Sequence, residues 1–332
     1  MDFAERVLYR APVLAVDFLV LCSMISGILT EGLIYGIMVL GVFMTFRVLN
    51  FCDMTVDGSF PLGACVLAAC VTHGVSPVLA LFVAFAAGCV AGFFTTLIYT
   101  KLRIPDLLAG ILMMTMLYSV NLRVMSNQAN VSFLRIPTIF SSLTAWAKAA
   151  GISGEWAVVG FLLIFVGVLT VLLNLFFSTD FGLTMGALGS NPQMVTSQGV
   201  DVRVVRGVGI CFGDGLASLS GALFAMYSGF ADVGSGTGVV VSGLASLMLG
   251  EFILKSNKIA VQTLRVLLGS ILYRALMFLA RRYGYTVGMN SNDLKLITGL
   301  LIVICLIISQ SDVSRWVKAH VRRPKEAVNA DA

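Results

Sequence analysis

Apolar segments long enough to cross a lipid bilayer make up most of this chain. A membrane-spanning helix needs about 20 mainly apolar residues. The candidate segments are 12–30, 31–48, 59–73, 77–99, 106–124, 156–177, 206–228, 239–254, 261–280 and 293–310. Only 12% of the 332 residues are charged, against about 25% in soluble domains, so a soluble domain is excluded. The sequence predicts an all-α polytopic membrane protein with nine or ten transmembrane segments.

Two segments, 59–73 and 239–254, are shorter than the others, which predicts broken or half-spanning helices. Similar motifs open them: VDGSFPL at 56–62 and VSGLASL at 241–247 share Val, Gly and Leu at equal spacing. Corresponding short segments are typical of transporters that are built from internal repeats.

The N-terminus allows two interpretations. Arg6, Arg10 and the following apolar run are similar to a signal peptide, but no small-residue cleavage site precedes a soluble domain, which favours an uncleaved helix. Met24 is an alternative start, which would leave nine spans. We expect an N-terminal helix or extension over 1–30, one transmembrane domain over 31–310 and a basic tail over 311–332.

The distribution of Lys and Arg predicts the orientation, because short loops that are rich in these residues stay in the cytoplasm. Most of the 22 Lys and Arg residues fall on alternate loops and on the tail. Both termini and the stretch 183–207 are then cytoplasmic, and 125–155 lies outside. We predict a multi-pass protein of the plasma (bacterial inner) membrane.

Catalytic and metal-binding patterns are absent from the sequence. It has two His residues, seven scattered Cys residues without a Cys-x-x-Cys pair, and no phosphate-binding Gly-x-x-x-x-Gly-Lys-Ser/Thr loop. We therefore expect no catalytic residue, no metal site and no cofactor, and an energy-driven function would need an ATPase on another chain. The net charge of +5 belongs to the loops and does not indicate a nucleic-acid partner.

Polar residues inside apolar segments need a partner or a wet cavity, since an ionisable group there costs at least ~2.5–3.5 kcal/mol. The candidates for a translocation pathway are Asp57, Ser59, Thr115, Asn121, Asp214 and Ser218. Structural alternatives remain open. Asp57 and Ser59 can cap the helix that begins there, and Thr115 and Asn121 can join helices. Asp214 can bridge to a hydroxyl, an amide or a basic group, and Glu251 can pair with Lys255 four residues later.

The stretch LTMGALGSNPQMVTSQGVDVRVVRG, 183–207, is the most polar long stretch between two apolar segments. Asn191 can cap a helix that begins at Pro192, and Gly199 can end it. A short surface helix of this kind suits docking into a groove on a cytoplasmic partner.

This stretch resembles the cytoplasmic coupling segment of ABC-importer permeases of the branched-chain amino acid and ribose type. In MGALGSNPQMVTSQGVDV the family pattern is matched by Ala187, Gly189, Asn191, Pro192 and Gly199, while Val195 and Val200 replace Ala and Ile. TVDGSFPLGA and TKLRIPDLLAGILMMTMLYSVNLRVM resemble most the branch of tryptophan and other aromatic amino-acid importers.

The resemblance implies a type II-like ABC permease fold and an ATPase-coupling role for Ala187, Gly189, Ser190, Asn191, Pro192, Gln193 and Gly199. It also implies two ATPase subunits, an extracytoplasmic substrate-binding protein and a second permease copy as partners, within membrane lipid. The solute would be an aromatic or branched-chain amino acid. The alternative is an ion- or proton-coupled secondary transporter or channel, in which Asp57 and Asp214 would be the ion or proton sites.

Overall fold

The structure, a computed structural model, describes residues 3–134, 136–151, 153–254 and 259–286, together with residues 296, 299, 300, 302 and 303. Its helices are α1 (Phe3–Val42, continued by a π-helix at Phe43–Val48), α2 (Val56–Thr72), α3 (Pro77–Leu102), α4 (Asp106–Val124), α5 (Ile139–Ala149), α6 (Gly154–Ser178), α7 (Asp180–Ser190), α8 (Pro192–Ser197), α9 (Val202–Ser228), a 3-10 turn (Val233–Gly236), α10 (Val239–Ile253) and α11 (Ile259–Thr286). Two three-residue strands, β1 (Asn130–Ser132) and β2 (Phe230–Asp232), pair antiparallel.

Seven helical segments of the described part of the chain are long and apolar enough to cross a membrane. They are Cys22–Val48, Pro77–Leu102, Asp106–Val124, Gly154–Ser178, Val202–Ser228, Val233–Ile253 and Ile259–Arg282. The prediction of an all-α polytopic membrane protein is therefore confirmed.

The N-terminal segments predicted at 12–30 and 31–48 require a correction, because both lie on one continuous helix, in which Cys22–Val48 is a single candidate membrane span. The predicted division between residues 30 and 31 is wrong. Instead, Glu31 lies within α1, with its Oε2 atom 3.8 Å from the guanidinium of Arg281 and 4.0 Å from that of Arg274, both on α11. The predicted segment 293–310 lies mostly outside the described residues, and the predicted tail 311–332 lies wholly outside them.

The two short segments form short helices, as predicted. At 1.5 Å per residue, the 17 residues of α2 span about 25 Å and the 15 residues of α10 about 22 Å, against about 30 Å for a bilayer core. Helix α2 is too short to cross the hydrocarbon layer alone, whereas α10 reaches a spanning length together with the 3-10 turn before it, as Val233–Ile253.

Helix α9 is the centre of the bundle and packs against α1, α2 and α3. Glycines permit this approach: a Cβ atom on Gly63 of α2 would lie 1.8 Å from the carbonyl oxygen of Ser218, and one on Gly221 would lie 1.8 Å from that of Phe60. By contrast, α4 and α6 leave most of their surface exposed, as expected of helices that face lipid. The small-residue face of α9 therefore holds the core together.

The contacts of α1 place two polar regions at opposite ends of the bundle. Near one end, Ser26 donates a 2.6 Å hydrogen bond to Glu155 at the start of α6. At the other end, the carbonyl oxygen of Val48 lies against Gly189 of α7. The loop with β1 and α5 thus lies at one end of the bundle, and α7 with α8 lies at the other.

Candidate translocation and coupling sites

Helix α8 is the short polar helix that the sequence predicts. Asn191 caps it, since its Oδ1 atom accepts a 3.2 Å hydrogen bond from the N–H of Met194, and Pro192 is the first helical residue. Gly199, with φ of +82°, follows the last turn in the left-handed region that glycine adopts most easily. The predicted start and end of the helix are confirmed.

The residues predicted to couple to an ATPase divide into two groups. Gly189 packs against Val48 and joins α7 to the end of the first span, and Ala187 is half-buried against the hydrophobic core. Ser190, Asn191, Pro192, Gln193 and Gly199 are exposed. Val195 is buried and anchors α8, so the exposed group forms a fixed knob on the bundle.

Asp57 caps a helix, but a different one from the helix predicted. It lies in the first turn of α2, whose N-cap, Thr55, makes no side-chain cap. Its carboxylate accepts hydrogen bonds from the N–H groups of Gly238 (3.1 Å) and Val240 (2.7 Å) at the start of α10. The prediction that Asp57 and Ser59 cap their own helix is wrong, because α10 begins without a side-chain cap of its own and takes Asp57 from α2 instead.

A cavity of about 240 Å³ brings together three of the predicted pathway residues, Asp57, Thr115 and Asn121. Asn121 donates a 3.3 Å hydrogen bond to the carbonyl of Gly58, and Thr115 donates to the carbonyl of Leu112 within α4. Tyr118 adds an aromatic wall. The site combines a carboxylate, a hydroxyl, an amide and a ring.

Ser59 and Asp214 form a separate buried pair. Ser59 donates a 2.8 Å hydrogen bond to Oδ1 of Asp214, and both side chains are fully buried. The prediction of a hydroxyl partner for Asp214 is confirmed. The other carboxylate oxygen has no hydrogen-bond partner within the described part of the chain. Ser218, one turn further along α9, donates to the carbonyl of Ala84 at 2.6 Å and so joins α9 to α3.

Comparison with known proteins identifies the family. Residues 24–307 match the family described as branched-chain amino acid transport system / permease component. The chain belongs to this family. It is a permease subunit of an ABC importer, and the ion- or proton-coupled secondary transporter or channel is no longer an alternative.

Three curated relatives cover nearly the whole permease. A tyrosine transport system permease protein of Clostridioides difficile (strain R20291) is 36% identical over 88% of this chain and 93% of its own length. The uncharacterized protein RP368 of Rickettsia prowazekii (strain Madrid E) is 31% identical over 86% of this chain and 96% of its own. The inner membrane ABC transporter permease protein YjfF of Escherichia coli (strain K12) is 26% identical over 88% and 85%. No solved structure matches the permease significantly.

Family membership also accounts for the partners in outline. ATP hydrolysis and solute capture belong to other subunits of an ABC importer, so this permease requires an ATPase and a binding protein as partners. The permease itself is a multi-pass membrane protein without a catalytic role.

Two turns of the permease, at 50–53 and 229–232, have similar sequences and geometry, and neither was predicted from the sequence. NFCD at 50–53 and GFAD at 229–232 each follow a long helix, and their first residues, Asn50 and Gly229, have φ of 51° and 78°. Asp53 and Asp232 each accept a 2.9 Å hydrogen bond from the N–H two residues later. The spacing of Phe and Asp in the two motifs was the signal that could have revealed them.

Asp53, in the connection between the first span and α2, is a buried carboxyl that was not among the predicted pathway residues. Burial raises its pKa to about 6, and the hydrogen bonds from Thr55 act in the opposite direction.

Glu251 has partners from two other helices. Its Oε1 atom lies 2.8 Å from the guanidinium of Arg265 and 3.0 Å from that of Arg47. Lys255, the predicted partner, lies outside the described residues. Glu251 therefore ties α10 to the end of the first span and to α11.

Proposed function

We propose that this permease imports an aromatic amino acid such as tyrosine. The observation that supports this most strongly is the 36% identity, over 88% of the chain, to a tyrosine transport system permease protein. The cavity at Asp57 agrees with such a solute, because Tyr118 supplies a ring, and Thr115 and Asn121 supply hydrogen-bonding groups. In this proposal the cavity belongs to the translocation pathway. The buried hydrogen bond between Ser59 and Asp214 holds α2, which lines the cavity, against α9.

Reconstitution tests the solute. The permease, its ATPase and its binding protein are placed in proteoliposomes, and ATP-driven uptake of labelled tyrosine is measured with excess unlabelled phenylalanine, tryptophan or leucine. We expect tyrosine uptake that aromatic competitors reduce and leucine leaves unchanged. Competition by leucine alone would contradict the aromatic assignment and leave the importer assignment intact.

The cavity has its own test. Thr115→Val removes a hydroxyl from the exposed wall while keeping its shape, and among the described residues the hydroxyl bonds only to the carbonyl of Leu112 within α4. We expect normal assembly and ATP hydrolysis with reduced tyrosine uptake. Thr184→Val is the matched control, because Thr184 makes the same type of bond within α7, to Asp180, away from the cavity. Equal uptake by both variants would remove the cavity from the pathway.

We further propose that the exposed knob at Ser190–Gln193 contacts the ATPase, which places α8 in the cytoplasm and β1 and α5 outside. Two permease copies, each with one ATPase, form the transporter in the plasma membrane. A photo-crosslinking amino acid at Gln193 should give an adduct with the ATPase. The same amino acid at Lys148, exposed on α5 at the opposite end of the bundle, should give none. An adduct from Lys148 alone would reverse the orientation.

A further inference from the structure

A cavity of about 390 Å³ lies where the end of α3 meets the start of α9, next to the connection from α8. Arg103, Arg203 and Arg206 line it. The coupling knob occupies the same end of the bundle but is uncharged, so this cavity is a separate and strongly basic feature.

The three arginines lack a neutralising carboxylate. Among the described residues, none of them lies within 4.0 Å of an acidic side chain. The nearest acids in the sequence are directed to the backbone: Asp201 accepts from the N–H of Arg203 at 2.9 Å, and Asp106 accepts from the N–H of Cys52 at 3.1 Å. The cavity therefore keeps a positive charge that an anion can neutralise.

One arginine is held in place before any ligand arrives. Arg206 donates a hydrogen bond from Nη1 to the hydroxyl of Tyr99, and its guanidinium carbon lies 5.5 Å from the centre of that ring. Its Nε atom is buried and has no hydrogen-bond partner among the described residues. A buried donor without a partner favours an acceptor group in the cavity.

Exposed apolar side chains stand beside the arginines. Leu102, which precedes Arg103, is 63% exposed, and Val204, which follows Arg203, is 57% exposed. Unpaired cations next to exposed aliphatic surface match a molecule with an anionic head and an apolar tail. The ends of spanning helices also lie at the depth of lipid headgroups, where basic pockets bind anionic lipids.

We propose that this cavity binds the phosphate headgroup of an anionic phospholipid, with the acyl chains along Leu102 and Val204. A bound lipid would join α3 to α9 beside the segment that we assign to ATPase coupling. The lipid site itself requires only the contacts described here, so its test does not depend on the transported solute.

The test uses the full-length permease, stripped of lipid in detergent and titrated with phosphatidylglycerol or phosphatidylcholine of equal chain length, with bound lipid counted by native mass spectrometry. The variant is Arg103→Asn with Arg203→Gln, which keeps the Arg206–Tyr99 contact and gives residue 103 a side chain that tolerates its φ of 54°. We expect wild type to prefer phosphatidylglycerol and the variant to bind it about tenfold more weakly.

Arg123→Gln is the control, because Arg123 is exposed in the last turn of α4. Arg103 of the cavity precedes the first turn of the same helix, so the two arginines lie at its opposite ends. It should bind like wild type. Three results would overturn the proposal: unchanged phosphatidylglycerol binding in the double variant, equal binding of phosphatidylcholine by wild type, or displacement of the lipid by inorganic phosphate at equal concentration, which would indicate a site for free phosphate. Loss of ATPase binding in lipid-free detergent with unchanged lipid binding would instead assign the arginines to the protein partner.

Discussion

The carboxylate of Asp57 in α2 accepts a 2.7 Å hydrogen bond from the N–H of Val240 in α10, 183 residues later in the chain. Ser59, two residues after Asp57, donates a hydrogen bond to Asp214 near the middle of the 27-residue α9. The N-terminal ends of the two short helices therefore meet close to the middle of α9, at the centre of the bundle. A helix that begins inside the bundle needs acceptors for its free N–H groups, and Asp57 supplies them for α10.

Removal of this cap should destabilise the permease. Asp57→Ala leaves the N–H groups of Gly238 and Val240 without an acceptor, so we expect a loss of about 0.5–2 kcal/mol, the range for helix N-caps. Thermal unfolding of the purified permease in detergent measures it. Asp180→Ala is the control, because Asp180 is an exposed acid in the first turn of α7. Equal melting temperatures for the two variants would contradict the cap.

Close packing between α2 and α9 gives a second prediction. Gly63→Ala places a Cβ atom 1.8 Å from the carbonyl oxygen of Ser218, so the two helices must separate. We expect a loss of about 1–3 kcal/mol, as for overpacked cores. Gly160→Ala, in α6, meets no atom within 4 Å and should fold at least as well as wild type. The yield of monodisperse protein separates the two, and a normal yield for Gly63→Ala would count against the packing described here.

The buried carboxyl of Asp53 predicts a pH dependence. Its pKa rises from an ordinary value of 3.8 to about 6, so its contribution to stability is complete below pH 3.8 and is lost as the pH rises through 6. Asp53→Asn keeps the acceptor for Thr55 and removes the titration. We expect the variant to gain stability relative to wild type between about pH 4 and 6 and to keep a constant advantage above that range.

Unfolding temperatures measured from pH 4 to pH 8 check this prediction. Asp180→Asn is the matched control for the loss of an exposed carboxylate. A constant difference between Asp53→Asn and wild type across the range would show that burial does not hold the proton on Asp53.

The parts of the fold that local sequence determines were predictable, and the parts that depend on distant contacts were not. Asn191, Pro192 and Gly199 set the ends of α8 through their own backbone preferences, so the sequence predicts that helix well. The division of α1 at residues 30 and 31 was wrong, because the partners of Glu31, Arg274 and Arg281, come from α11 and allow α1 to continue.

The cap of α10 by Asp57 could not be predicted for the same reason, because it depends on a distant contact. A carboxylate at the start of a helix usually serves that helix, and only the folded chain places α10 beside it. The candidate pathway was therefore predicted as a set of residues, of which Asp57, Thr115 and Asn121 share one cavity, whereas Ser59, Asp214 and Ser218 join helices in the core.

Asp214 is the residue for which structural and transport roles separate most clearly. Its neighbours on α9 allow close contact on both sides: a Cβ atom on Gly213 would lie 2.7 Å from the side chain of Thr45, and one on Gly215 would lie 2.7 Å from that of Cys89. The carboxylate accepts a hydrogen bond from Ser59 and has no basic side chain within 4.0 Å among the described residues. An isolated buried charge is costly, and a neutral acceptor would serve the bridge equally well.

Asp214→Asn tests this interpretation, because it keeps the shape and the acceptor for Ser59 and removes the charge. We expect the variant to assemble with its ATPase and to transport within about twofold of wild type, since an unpaired buried charge contributes little to stability. Asp214→Leu removes the acceptor as well and should cost about 0.5–1.5 kcal/mol, since the Ser59 hydroxyl loses this bond but keeps its 3.2 Å hydrogen bond to the carbonyl of Thr55. Uptake, ATP hydrolysis and thermal unfolding are measured on the same preparations. If Asp214→Asn assembles and hydrolyses ATP but does not transport, the charge itself acts in coupling or translocation, and the bridge alone does not explain the residue.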